Sequence, residues 1–368
     1  MMKKILLLLF LPAMLHAQTR FREDTGEAIG ILKTGAFNAI TDVPGVKVGQ
    51  VTLFSGSDIR TGVTAILPHD GNIFQQKVPA AVFVANGFGK MAGISQVNEL
   101  GNLETPVVLT NTLSVAAGME GLITYTLAQP GNEKVRSVNA VVGETNDGFL
   151  NDITGRHVHP EHVLQALKDA KTGKVEEGNV GAGTGTICFG WKGGIGTSSR
   201  ILPSKSGKYT VGVLVQTNFG GVLEIKGIPV GKNLGKYFLS DQLNDPADGS
   251  CLIVVATDAP LSHRNLERLA KRAWSALARV GGIASNGSGE YVLAFSTNEK
   301  VRIPHNQSGL TQTLEEVHND AMSPLFLGAI EATEEAILNS LWAARTVAGK
   351  NGVSEELPRE QVKKMLKR

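Results

Sequence analysis

The chain is poor in the features that usually give a function away. Only two of its 368 residues are cysteine, and 5% are aromatic. A disulfide-stapled scaffold is excluded, because a chain of this length builds its own core. Cys188 lies in a glycine-rich stretch and Cys251 opens an apolar run, so both read as buried free thiols. Beyond the first seventeen residues no apolar run approaches the roughly 20 residues a membrane-spanning helix needs. Charge of one sign is missing too. Setting aside Lys3 and Lys4 leaves 34 basic against 34 acidic side chains, which is no electrostatic footprint for nucleic acid. There is no Pro/Gly/Ser-rich linker and no internal repeat, so residues 18–368 read as a single domain.

At the start, residues 1–17 have the form of a secretory signal peptide. Lys3 and Lys4 precede a short apolar core from Ile5 to Leu15, and Leu15-His16-Ala17 ends in a small-residue cleavage site. The expected compartment is therefore outside the cytoplasm, periplasmic or secreted, with the mature chain beginning near Gln18. No cysteine stands at that site to carry a lipid anchor.

The 43 glycines are interleaved with apolar strand runs, which points to close backbone approaches rather than disorder. The segment from Arg20 to Gly35 is polar and reads as a surface wrap. Strands are expected after the Pro44-Gly45 turn as far as Leu53, over Gly62–Pro68, Ala80–Asn86, Thr105–Asn111, Ala140–Glu144 and Tyr209–Val215, over Cys251–Thr257, and over Glu290–Ser296. Helices are expected behind Ser114, over Pro160–Ala170, behind Ser262, from Ser323 through Ala348, and over Leu357–Arg368. Many strands with helices at intervals imply a layered α+β domain.

One junction organises the rest. Asn244-Asp245-Pro246-Ala247-Asp248-Gly249-Ser250 is a turn-rich loop that runs directly into the apolar strand Cys251–Thr257. Cleavage between Gly249 and Ser250 would expose a hydroxyl and a free α-amine together at a strand start, the arrangement of an N-terminal nucleophile. An ordinary turn entering a core strand has the same look. Ser288 and Glu290 stand two apart at another strand start, on one face, where the carboxylate can orient the hydroxyl; a turn serine and a solvent-facing glutamate would read alike. Glu144, at a strand end, can pair with a substrate amine or sit in a surface turn. Asn218, also at a strand end, can donate to an oxyanion or close an Asx turn. Gly181–Gly185 and Gly193–Gly196 fit neither phosphate-loop spacing, and no apolar strand leads into them, so tight backbone packing near a pocket is expected instead of a nucleotide site. His157, His159 and His162 are close in sequence, but Pro160 interrupts them and no further ligand completes a set, so no metal is expected.

Taken together, these residues resemble a known family: the β-peptidyl aminopeptidases and L-aminopeptidase/D-esterases, self-processing serine peptidases. The resemblance runs through Asn38–Leu53, Gly62–Pro68, Glu104-Thr105-Pro106 with Thr110-Asn111-Thr112, Gly193–Arg200, and Ser323–Phe326 with Glu331–Ala336 and Asn339. It implies Ser250 as nucleophile, Ser288 and Glu290 as its catalytic partners, Asn218 in oxyanion stabilisation and Glu144 on the substrate's amino group. Asn146 stands where the L-aminopeptidase/D-esterase branch carries tyrosine, which favours the β-peptidyl branch. The implied fold is a four-layer αββα sandwich resembling Ntn hydrolases with different strand connectivity. The implied assembly is a homotetramer of protomers cut into 18–249 and 250–368, with no cofactor. Ser288 and the Ser250 α-amine both remain candidates for the base. Two other functions fit parts of the pattern: an acyltransferase on a related self-cleaving scaffold, whose usual nucleophile is threonine, and an uncleaved small-molecule binding protein.

Overall fold

A computed structural model describes residues 19–240, 249–307 and 309–367. The leader peptide expected over residues 1–17 and the loop residues Asn244–Asp248 lie outside them. The strands of the two main sheets, apart from the short Asn102–Leu103 beside β3, are β1 (Lys47–Ser55), β2 (Ile59–Leu67), β3 (Gln76–Gly87), β4 (Met91–Ala92), β5 (Val107–Asn111), β6 (Val141–Thr145), β7 (Gly194–Ile201), β8 (Thr210–Asn218), β9 (Gly249–Thr257), β10 (Ser288–Ser296) and β11 (Ile303–Pro304). The principal helices are α1 (Phe21–Thr25), α2 (Val115–Leu127), α3 (Pro160–Lys168), α4 (His263–Arg279), α5 (Ser323–Ala343) and α6 (Arg359–Leu366).

One sheet has the order β1-β2-β5-β6-β4 and the other β7-β8-β9-β10-β3-β11. They stack face to face, because strands apolar on both faces must be covered on both. In β9, Cys251, Ile253 and Val255 point to the core beneath α4 and α5, whereas Leu252 and Val254 meet Leu109 and Val141 of the other sheet. Val63, Val108 and Val142 form a third core with Leu122 of α2 and Val163 of α3. The four layers are therefore helices, sheet, sheet, helices, the αββα sandwich expected. Two neighbouring pairs are parallel, β9 with β10 and β5 with β6. Their chain crossovers carry α4 and α2, which covers each sheet on its outer face.

Two expectations fail. The segment after Arg20 does not merely wrap the surface. Phe21 is fully buried edge-on against Trp342, and Glu331 of α5 accepts from the Ile31 and Leu32 amides. Helix α5 does not reach Ala348. Ala344 turns to extended backbone, because Asn179 takes the Arg345 amide at 3.0 Å and donates to the Arg345 carbonyl at 2.8 Å. Val347–Gly349 then pairs with Gly352–Ser354 as a short hairpin. Gly194–Ile201 is a further strand, one not among those read from the sequence. The glycines hid it from an apolar-run search, and α5 needs them: a Cβ at Gly196 would stand 1.9 Å from the Ala336 carbonyl oxygen. The tight backbone packing expected there is present. Both cysteines are buried free thiols, as expected. Among the described residues, no helix is long and apolar enough to cross a membrane.

Candidate active site

The junction forms as a strand start. Asn218 of β8 pairs with Ser250 of β9, and Ser250 pairs in turn with Gly289 of β10, so three strand ends meet at one point. The Ser250 hydroxyl donates to the Gly249 carbonyl at 2.6 Å and accepts from the Gly289 amide at 3.3 Å. Gly249 is glycine for a steric reason. A Cβ there would lie 2.4 Å from the Asn218 carbonyl oxygen and 2.7 Å from Phe219 Cα.

Ser288 and Glu290 flank Gly289. By strand alternation they share the face of Gly249 and Cys251, with which they pair, while Ser250 shares the face of Gly289 and Asn218. The Ser288 hydroxyl donates to Glu290 Oε1. Glu290 is fully buried, and its Oε2 is buried with no hydrogen-bond partner among the described residues. Burial raises its carboxyl above the ordinary range, against the pull of Ser288 and Asn86. Asn86, opposite Glu290 on β3, donates to the Ala284 and Ser285 carbonyls, so its amide steadies the carboxylate without closing on Oε2. No motif marked Asn86 for this part.

The Asn218 side chain is held by its Oδ1, which accepts from the Ile187 amide at 2.9 Å. Its NH2 group has no hydrogen-bond partner among the described residues, so it is available as a donor. The loop carrying Ile187 is pinned by Lys192, a residue missed in the sequence. Its fully buried ammonium donates to the carbonyls of Gly183, Thr186 and Gly193 at 2.8–2.9 Å. Burial pushes it down to about 7, while the three carbonyls favour the charged form. A lone lysine in Trp191-Lys192-Gly193-Gly194 was the available signal.

Glu144 is no turn residue. It is buried at the end of β6, beside Gly143, whose Cβ would press on Leu252 of β9 at 2.7 Å. Its Oε2 accepts from Thr112, and its Oε1 from the Lys90 amide at 3.0 Å and the Lys90 ammonium at 3.3 Å. Phe88-Gly89-Lys90 crosses from β3 in one sheet to β4 in the other, and it links this acid to β10. A Cβ on Gly289 would meet the Phe88 carbonyl oxygen at 2.0 Å, and one on Gly89 would meet Glu144 Oε1 at 2.8 Å. Asn146 lies beyond the strand end, exposed, its carbonyl accepting from the Gly148 amide at 2.9 Å. The three histidines serve local structure. His157 bonds Asp152, and His162 accepts from the His159 amide at the start of α3.

A peptidase-family model, Peptidase family S58, matches residues 38–355. The chain belongs to peptidase family S58. It is a hydrolase, an aminopeptidase of the N-terminal-nucleophile type. It is 43% identical over 361 residues to "Beta-peptidyl aminopeptidase BapA" of Sphingosinicella microcystinivorans, covering 91% of this chain and 89% of that relative. The solved structure of a Burkholderia sp. beta-aminopeptidase is 42% identical with a TM-score of 0.87, covering 95% of this chain and 98% of that one. The L-aminopeptidase D-Ala-esterase/amidase of Ochrobactrum anthropi, described as a prototype for the serine aminopeptidases and a new variant of the Ntn hydrolase fold, is 34% identical with a TM-score of 0.86 over 95% of this chain and 98% of its own. The Ntn-like sandwich expected from the sequence is this fold.

Proposed function

We propose that this S58 aminopeptidase is made as a precursor, cuts itself between Gly249 and Ser250, and then releases N-terminal residues, β-amino acids foremost, from short peptides and amides through an ester on Ser250. The observation that carries the reading is the Ser250 hydroxyl held 2.6 Å from the carbonyl oxygen of Gly249. In processing, Ser250 Oγ adds to the Gly249 carbonyl carbon, the bond from that carbon to the Ser250 nitrogen breaks, and the hydroxyl proton ends on that nitrogen. Water then splits the ester, leaving the Gly249 carboxyl and freeing the hydroxyl beside a new α-amine.

In turnover the same oxygen takes the acyl group of a substrate's first residue. Asn218, with backbone N–H groups, stabilises the oxyanion. Ser288, oriented by Glu290, or the new α-amine accepts the proton, and the shared face of Ser288 and Gly249 supports a role for Ser288 at the cut backbone. Glu144 receives the substrate ammonium, and Asn146 stands at the outer edge of that pocket. The preference for β-amino acids draws its support from the names of the relatives in that branch. A leader over residues 1–17, export to the periplasm or medium, and a homotetramer of cut protomers complete the proposal.

The test compares β-homo-amino-acid amides with L- and D-amino-acid amides on wild type and Ser250→Ala. The wild type should turn over the β-substrates best, and the variant should turn over none. Faster turnover of ordinary L-amides would remove the β-preference, and an active Ser250→Ala would remove the ester.

A further inference from the structure

Glu144 is surrounded by donors before any substrate arrives. Its carboxylate already accepts from the Thr112 hydroxyl, the Lys90 amide and the Lys90 ammonium. The first two are built into the walls, since one is backbone and the other belongs to a residue directly after β5. The third differs in kind. The Lys90 side chain is 49% exposed while that of Glu144 is 2% exposed, so a half-solvated ammonium sits on one oxygen, Oε1, of a buried acid. A substrate amine is also an ammonium, and it needs the same oxygen. Two cations sharing one carboxylate oxygen repel, and the carboxylate has few lone-pair sites left.

We propose that Lys90 is a resident counter-ion that holds the ammonium position on Glu144 between turnovers and must swing away for the substrate amine to bind. This rests on the reading of Glu144 as the amine anchor. Its flexible four-carbon stem and half-exposed head let it return to water at small cost. Buried Glu144 thus keeps a partner in the free enzyme, and the site admits only ligands whose amine competes with Lys90. Lys90 therefore sets affinity for free-amine substrates while leaving the chemical step alone.

The experiment measures KM and kcat with a β-amino-acid anilide, neutral at its far end, for wild type, Lys90→Met, Lys90→Arg, Glu144→Gln and the double variant Lys90→Met/Glu144→Gln. Lys90→Met should lower KM about two- to fivefold, the range of a half-exposed ion pair, at unchanged kcat. Lys90→Arg, which keeps the cation, should retain the wild-type KM. The gain should vanish when Glu144 is already glutamine. Glu144→Gln alone should cut kcat/KM by about one to two orders of magnitude. If Glu144→Gln behaves as wild type, the anchor reading fails and this inference goes with it. If Glu144→Gln is impaired but Lys90→Met leaves KM unchanged or raises it, the anchor stands and the resident counter-ion is overturned. All variants should process at Gly249 as wild type does, because that bond offers no free amine.

Discussion

Glu290 accepts from the Ser288 hydroxyl on one oxygen, and the other is buried with no hydrogen-bond partner among the described residues. Burial makes its charged form expensive, so its carboxyl titrates above the ordinary glutamate range. The direction follows: the folded state holds this proton more tightly than the unfolded chain does. Ionising the group therefore costs stability as pH rises through its folded value. In the proposed mechanism the ionised form orients Ser288. We expect the acidic limb of kcat/KM to fall off at a higher pH than an ordinary glutamate would give. In Glu290→Gln that limb should disappear, together with roughly two to four orders of magnitude of activity, while thermal stability at neutral pH is kept or improved. A pH profile of both proteins checks this, and a variant retaining both the limb and the activity would remove Glu290 from the site. The pair Ser288 and Glu290 was legible in the sequence because a strand's alternation puts residues two apart together. Asn86 was not, since its approach depends on β3 lying antiparallel beside β10.

Among elements, the hairpin of Ile187–Cys188 and Trp191–Lys192 does more than its length suggests. Lys192 ties the carbonyls of Gly183, Thr186 and Gly193 to one point, and Ile187 in that loop holds Asn218. Lys192→Met leaves three buried acceptors short of a donor, a cost of about 3 kcal/mol or more. Its second effect should be on the orientation of the Asn218 amide, lowering kcat with KM little changed in the folded enzyme. Burial holds the ammonium at about 7 against an ordinary 10.5. Across that window the unfolded chain binds more protons, and this group's contribution to stability rises with pH. Thermal melts at neutral and alkaline pH should show that rise in wild type and its loss in Lys192→Met. A variant as stable and as fast as wild type would make Lys192 incidental. Strands with apolar runs, such as β9, were plain in the sequence. β7 was not, because contact with α5 demands glycines where a strand usually shows branched side chains. The end of α5 was misjudged for a similar reason: Asn179, far away in sequence, takes the Arg345 amide and draws the chain out of the helix.

At the scale of the whole molecule, two face-to-face sheets bring residues from distant sequence to neighbouring strand ends. Ser250, Ser288 and Asn218 come from one sheet and Glu144 from the other, and Phe88-Gly89-Lys90 bridges them. Local patterning located the strand ends, but a resemblance was needed to say which of them meet, because sheet order leaves no periodic mark in the chain. The proposed chemistry depends on Gly249 and Ser250 parting so that Ser250 becomes an N-terminus. Mass spectrometry of the purified wild-type protein under denaturing conditions tests it most directly. Two fragments are expected, one ending at Gly249 and one beginning Ser250-Cys251-Leu252, with a single uncut chain for Ser250→Ala. An uncut wild-type chain with full aminopeptidase activity would contradict it.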